Sequence, residues 1–326
     1  MMSGPRSGQQ TAWVDLTGRL GENAPERQGG IGPNFPGFAK PARDTSPHYE
    51  DLPAPFTDTL HMTPQQLLHH HDNGQLWSAP VSDDPGFETS QAYQAALAVR
   101  SLRQQRGEQA RGYKIGFTNR TIWPLYQVYA PIWGTVWDNS LVHCDGEGQL
   151  SLHGTCQPRL EPEVVFGMAR TPAPAADLQA LFDAIAWIAP GFEVVQSHLP
   201  DWKFQASDTV TDSGLHARLL VGRQVPLRSI ARTAKELDAL LASMTMRLLR
   251  EGTVQAEGQG RNVLDSPLRA LHHFLQELRA CPGATDLQAG DVITTGTWTD
   301  AFPIASGQHW QADFPAPLSR LSLTLT

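Results

Sequence analysis

Apolar residues in this chain recur in short runs bounded by Gly, Pro and polar clusters, and the spacing within each run separates helices from strands. Thr63-Pro64-Gln65-Gln66 offers an N-cap followed by proline at the first helical position, and Leu67-Leu68 begin an apolar face. A second helix is predicted from about Ser90 to Arg106, with Ala92, Ala95, Ala96, Val99 and Leu102 forming its buried stripe. Strand-like runs follow at Gly112 to Phe117, Ile132 to Trp137, Glu163 to Met168 and Gly191 to Gln196. Others fall at Leu215 to Val221, Met244 to Leu249, Val292 to Thr297 and Leu321 to Leu325. Helical patterns separate only some of them, at Ala176 to Ile188, Ile230 to Ala242 and Ser266 to Arg279, so the fold class is α+β with a mixed, strand-dominated core. Residues 1–60 are rich in Gly, Pro, Ser and Gln and carry no sustained period, which marks an extension. The predicted organisation is therefore extension 1–60, helical region 61–110 and β-rich metal-binding catalytic core 111–326.

Composition narrows the function classes. With 326 residues, 40% hydrophobic and 18% charged, the chain can bury a large core. Its longest apolar runs, such as Ala184 to Ala189, fall far short of the roughly 20 residues of a membrane span, and no apolar signal core follows the N-terminus, so a cytoplasmic location is expected. Net charge −8 without a basic stripe repels a polyphosphate, which argues against nucleic-acid partners. Cys144, Cys156 and Cys281 are scattered and show neither disulfide nor zinc spacing.

The chemistry concentrates in Arg159-Leu160-Glu161-Pro162-Glu163-Val164-Val165-Phe166. On a strand, residues two apart share a face, so Glu161 and Glu163 converge and repel unless a cation lies between them. Pro162 lacks an N–H and suits a strand beginning or edge. Gly191-Phe192-Glu193-Val194-Val195 embeds a third acid in an apolar strand, where a lone carboxylate needs a partner. Three carboxylates make an all-oxygen donor set of the type that hard divalent ions such as Mg²⁺ or Mn²⁺ select. Lys114 lies inside the apolar run Gly112 to Thr118, flanked by glycines that permit close backbone approach to a ligand. Two glutamates at a strand mouth and a snorkelling lysine are the bland readings of the same residues.

These islands resemble the hydratase and decarboxylase branch of the fumarylacetoacetate hydrolase superfamily. The carriers are GYKIGFT (112–118), PIWGTVWD (131–138), RLEPEVVFG (159–167), APGFEVVQSHLPDWK (189–203), SDTVTDSG (207–214), GDVITTGT (290–297) and a late Gly307 to Phe314 segment. The resemblance implies a mixed β-sheet roll or sandwich with a small helical part, a homo-oligomer and a small-molecule 2-oxo acid substrate. It assigns Glu161, Glu163 and Glu193 to Mg²⁺ or Mn²⁺, Lys114 and Lys203 to catalysis, and Gly116, Thr118, Trp133, Ser213 and Thr297 to the substrate pocket.

The implied activity is that of a divalent-metal-dependent lyase, with hydration of a 2-hydroxy-2,4-dienoate to a 4-hydroxy-2-oxo acid placed first. Decarboxylation of a 2-oxo-enedioate, carbon–carbon hydrolysis of a fumarylpyruvate-type acid and a non-catalytic partner role are the alternatives. Three departures from the family pattern bear on this. Ile132 stands where many hydratases carry an acid, Asp212-Ser213-Gly214-Leu215-His216 replaces an Asp-Asn-Ala-Ser-Ser run, and Trp298 to Pro303 replaces a Gly-rich turn. His69-His70-His71 reads as a solvated helix end.

Overall fold

A computed structural model describes residues 62–126 and 128–326; the predicted N-terminal extension lies outside the described residues. Two helices come first, α1 (Pro64–Asn73) and α2 (Thr89–Gln105). Thr63 caps α1 through a reciprocal capping box with Gln66, as the sequence predicts. The chain continues through β1 (Ala110–Gly116), α3 (Trp123–Tyr126), β2 (Ile132–Trp137), β3 (Leu141–His143), β4 (Glu147–Leu150) and β5 (Arg159–Met168). There follow α4 (Leu178–Phe182), β6 (Ile185–Val195), α5 (Ala206–Thr211), β7 (His216–Val221), β8 (Val225–Pro226), α6 (Ala234–Ser243), β9 (Thr245–Arg250) and β10 (Thr253–Gln259). The last elements are α7 (Pro267–Ala280), β11 (Val292–Thr294), β12 (Phe302–Pro303), β13 (His309–Asp313) and β14 (Leu321–Leu325).

Two mixed sheets result. One runs β2-β1-β11-β5-β6-β7-β3, with β12 added to β5 and β8 to β6; the other runs β10-β9-β13-β14-β4. β5 is buried on both faces. Leu160, Val164, Phe166 and Met168 enter the main core with α7 and the second sheet, while Val165 joins a smaller apolar cluster with Val136, Ala189, Leu219 and Val292. The helical region is not separate from this body: Leu67, Trp77, Ala92 and Val99 of the N-terminal part pack with Ile132, Leu199 and Val210.

Three expectations change. The helix predicted over Ala176 to Ile188 survives only as α4, because Ile185 to Ile188 pair with β5 and β8 and begin β6. Pro162 lies inside β5 rather than at its start. Its carbonyl accepts from the Trp298 N–H in the break between β11 and β12, so the missing N–H points where no ladder partner needs it. The strand predicted to Thr297 ends at Thr294, and Gly296 turns with φ +99° onto the face of β5.

Gly134 of β2 sits opposite Lys114 of β1, and a Cβ there would lie 2.0 Å from the Ser213 carbonyl oxygen. This contact lets the turn Ser213–Leu215 close over the strand pair. Gly134→Ala is expected to lower stability by about 1–3 kcal/mol, read as a lower urea midpoint with an unchanged slope; a midpoint at or above wild type would show that the turn is not held there.

Candidate metal centre and substrate cavity

The antiparallel register of β5 and β6 places Glu161 directly opposite Glu193, and Glu163 opposite Gly191. Opposed residues share a face, and like charges so placed are destabilising. Here they converge further: one oxygen from each of Glu161, Glu163 and Glu193 lies within 4.8 Å of the others. Glu163 and Glu193 are fully buried, and Glu161 opens onto a cavity.

Glu163 and Glu193 are each held from one side and left free on another. The Gly296 N–H donates to Glu163 Oε2 at 2.8 Å. That approach requires glycine, since a Cβ at position 296 would meet Thr118 Oγ1 at 2.0 Å. His216 Nδ1 lies 2.8 Å from Glu193 Oε1, and its Nε2 lies 2.9 Å from the Ser140 hydroxyl. Burial holds His216 below its ordinary value despite Glu193, so the ring is neutral. The tautomer that satisfies both neighbours donates from Nδ1 to Glu193 and accepts at Nε2 from Ser140. Lys114 Nζ donates to the Gly214 carbonyl at 2.9 Å and stands 3.4 Å from Glu193 Oε2, an ion pair without hydrogen-bond geometry.

Buried, uncompensated oxygens remain: Glu163 Oε1 and Glu193 Oε2 have no hydrogen-bond partner. Orphaned carboxylate oxygens are costly in a protein interior, and three carboxylates against one ammonium leave a formal deficit of two charges. A divalent cation satisfies the oxygens and cancels the charge, so the residues present fit one. The electrostatics without a cation point the same way. Burial pushes Glu161 up to about 7, with Glu193 adding to the rise against the pull of Lys114 and Arg159. Burial, then Glu193 and Glu161, push Glu163 well above the carboxylate range. Glu193 is the exception: burial raises it, but Lys114 and His216 together bring it below its usual value. Burial by itself would lower Lys114. The three surrounding carboxylates outweigh it and hold the ammonium above its ordinary value.

The cavity that Glu161 enters has a volume of about 230 Å³. Lys114, Gly116, Thr118, Glu161 and Thr297 all line it, as anticipated. The Thr297 hydroxyl is turned inward to its own loop, donating to the Thr299 carbonyl at 2.9 Å, so it braces the wall. Three expected residues lie elsewhere. Trp133 is 3% exposed and stacks on Tyr93 at 4.6 Å, because strand alternation gives the cavity face to Ile132 instead. Ser213, at φ +56°, lies beside α2, and the neighbouring Gly214 and Leu215 line the cavity. Lys203 is 81% exposed and pairs with Asp201 at 3.3 Å on the surface, its neighbours Trp202 and Phe204 being the residues that turn inward. Of the histidine run, His69 is exposed as expected, whereas His71 is half-buried with its ring 5.8 Å from that of His198.

Residues 131–317 match the family described as Fumarylacetoacetate (FAA) hydrolase C-terminal. The chain belongs to the fumarylacetoacetate hydrolase family. It is 30% identical over 235 residues to 2-hydroxyhexa-2,4-dienoate hydratase of Comamonas testosteroni, covering 71% of this chain and 85% of that protein. It is 32% identical over 221 residues to 2-keto-4-pentenoate hydratase of Burkholderia vietnamiensis, covering 67% and 79%. In fold it resembles 4-oxalocrotonate decarboxylase from Pseudomonas putida G7, solved with magnesium and adipate, at a TM-score of 0.71 and 24% identity over 82% of this chain and 100% of that one. Within this family member, sequence reasoning overlooked His216 and Ser140. The signal was available, since a histidine embedded in the apolar run Leu215 to Val221 demands a buried partner.

Two outcomes follow for the cation site. At pH 8 with chelator, Glu161→Gln is expected to melt no lower than wild type because the opposed pair is relieved. Mn²⁺ at a hundred times its dissociation constant should stabilise only the wild type, by about 2.7 kcal/mol; a metal-dependent rise in the variant would dismiss Glu161 as a ligand. His216→Ala should weaken Mn²⁺ binding about 10- to 100-fold by calorimetry, and an unchanged constant would reduce His216 to packing.

Proposed function

We propose that this protein is a lyase that hydrates a 2-hydroxy-2,4-dienoate to a 4-hydroxy-2-oxo acid, with Mg²⁺ or Mn²⁺ held by Glu161, Glu163 and Glu193. The observation that carries the reading is the meeting of three carboxylates and one buried lysine, of which Glu161 and Lys114 line a cavity that also presents aromatic side chains. The hydratase names of the relatives at 30% and 32% identity support the reaction class. When bound, the cation supplies Lewis-acid stabilisation of negative charge at the keto oxygen of a 2-oxo acid.

The chain's own residues account for the rest. Lys114 has three hydrogens, one committed to Gly214 and none in a hydrogen bond with Glu193 at 3.4 Å, so the ammonium retains donors to orient a substrate oxygen or deliver a proton. The three carboxylates raise its proton affinity when no cation lies between them. Gly116 and Gly214 permit close approach of a planar ligand, and Phe117, Tyr126 and Phe204 stack in series as an aromatic wall, with centroids 4.8 and 5.6 Å apart. A conjugated dienoate presents a flat face that such a wall accommodates. Protonation of the dienol at its terminal carbon gives the conjugated 2-oxo-3-enoate. Water then adds its hydroxyl at C4 and its hydrogen at C3.

Ile132 favours decarboxylation of a 2-oxo-enedioate as the second reading, because an apolar residue lines the cavity where an acid could activate water. Asp300 is the acid that lines the same cavity and can take that role for hydration. A metal-reconstituted assay on 2-hydroxypenta-2,4-dienoate and 2-oxo-3-hexenedioate, with Glu161→Ala as the blank, separates the two. Loss of dienoate absorbance without carbon dioxide is the expected result, and carbon dioxide release with no dienoate turnover would move the protein to the decarboxylases. Lys114→Met should lower kcat by about 10²–10³-fold, measured as initial rate at saturating metal.

A further inference from the structure

We propose that the polar cavity between α2, the start of β1 and the segment leading into β11 is a binding site for a free α-amino acid, its carboxylate taken by Arg100 and its ammonium by Asp291. The cavity has a volume of about 350 Å³ and shares no lining residue with the substrate cavity. Its ligand is therefore distinct from the substrate of the reaction proposed above.

Arg100 reaches this cavity from α2 and is 9% exposed. Its Nη1 donates to two hydroxyls, Tyr113 at 2.9 Å and Thr135 at 3.3 Å. The Tyr113 hydroxyl in turn donates to the Thr285 carbonyl, which fixes it and with it the plane of the guanidinium. Among the described residues Nε and Nη2 make no hydrogen bond, and no carboxylate oxygen lies within 4.0 Å of the guanidinium. A buried cation without an anion is costly, and the Nε–Nη2 edge matches a carboxylate through two parallel bonds.

Asp291 supplies the opposite charge. It lines the same cavity half-buried, and its Oδ2 accepts from the Gln288 N–H at 2.8 Å, while Oδ1 has no hydrogen-bond partner among the described residues. Burial pushes the carboxyl above its ordinary value, against that N–H and the more distant Arg100. The other two acids of the cavity are already committed, Glu108 to Arg103 and Arg106, and Asp286 to Arg279. One unpaired cation and one unpaired carboxylate, more than 4.0 Å apart across a polar space, select a molecule that carries both complementary charges a few atoms apart. A phosphate dianion would meet three carboxylates and a single arginine, and a plain carboxylate would leave Asp291 unpaired. Gln104 and Gln288 at the exposed rim offer carboxamides to a polar side chain. Tyr113 and Lys114 leave β1 on opposite faces, and Thr135 neighbours Gly134 on β2, so a ligand held by Arg100 braces from its far side the strand pair that carries the lysine.

The test titrates L-alanine, L-asparagine and L-glutamine calorimetrically into the Mn²⁺-loaded protein, beside propionate and ethylamine, which are alanine without its ammonium and without its carboxylate. The amino acids are expected to bind about 10- to 100-fold more tightly than either fragment. Arg100→Gln and Asp291→Asn should each weaken the amino acids by that factor, and Asp291→Asn, which keeps an acceptor for the Gln288 N–H, should leave propionate no weaker than in wild type. Amino acids also chelate Mn²⁺, so their affinity should persist in Glu161→Ala, which lacks one carboxylate of the cation site. Equal affinity for propionate and alanine, tighter capture of inorganic phosphate, binding lost in Glu161→Ala, or no binding of any of the three amino acids would each overturn the site.

Discussion

The repulsion between Glu161 and Glu193 across the β5–β6 ladder is the constraint around which the rest of the site is arranged. An antiparallel register cannot separate two directly opposed side chains, and Glu163 adds a third charge to the same face. The fold meets this with donors brought from distant parts of the chain: a main-chain N–H after β11, an imidazole from β7 and an ammonium from β1. Only the ammonium offsets a charge, and a deficit of two remains. The N–H and the imidazole each use up one oxygen's hydrogen-bonding capacity, the ammonium contributes charge without a hydrogen bond, and Glu163 Oε1 and Glu193 Oε2 are left bare. The result is a preorganised cage with little freedom to collapse, the condition under which a hard cation gains most from fixed oxygens.

Much of this was legible in order and little of it in depth. Seven of the eight strand-like runs and both N-terminal helices fall where hydrophobic spacing puts them, because each is buried on a face that its period marks. The segment from Ala176 to Ile188 was misread since alanines and large apolar residues suit helix and buried strand alike. Only pairing with β5 and β8 decided between them. The short strands β3, β4, β8 and β12 carry too few residues to show any period.

At the site, the carboxylates and Lys114 were found from residue type and spacing, which report chemistry directly. Trp133, Ser213 and Lys203 were placed wrongly for one shared reason. A motif match brings a segment to the cavity but does not say which of two adjacent side chains turns inward, and the structure gives that place to Ile132, Gly214 and Trp202 instead. His216 went unassigned because its place beside Glu193 depends on a partner far away in sequence, Ser140.

Lys114 is steadied by a main-chain oxygen, that of Gly214, in a turn that also presses its backbone against Gly134. A carbonyl belongs to every residue and bears no trace of the side chain beside it. Relatives can therefore exchange the residues of this turn while retaining the ammonium's anchor, provided the path of the backbone survives. Divergence in the letters at 213–215 thus says nothing about loss of the lysine's footing, and the position to watch is the glycine on the facing strand.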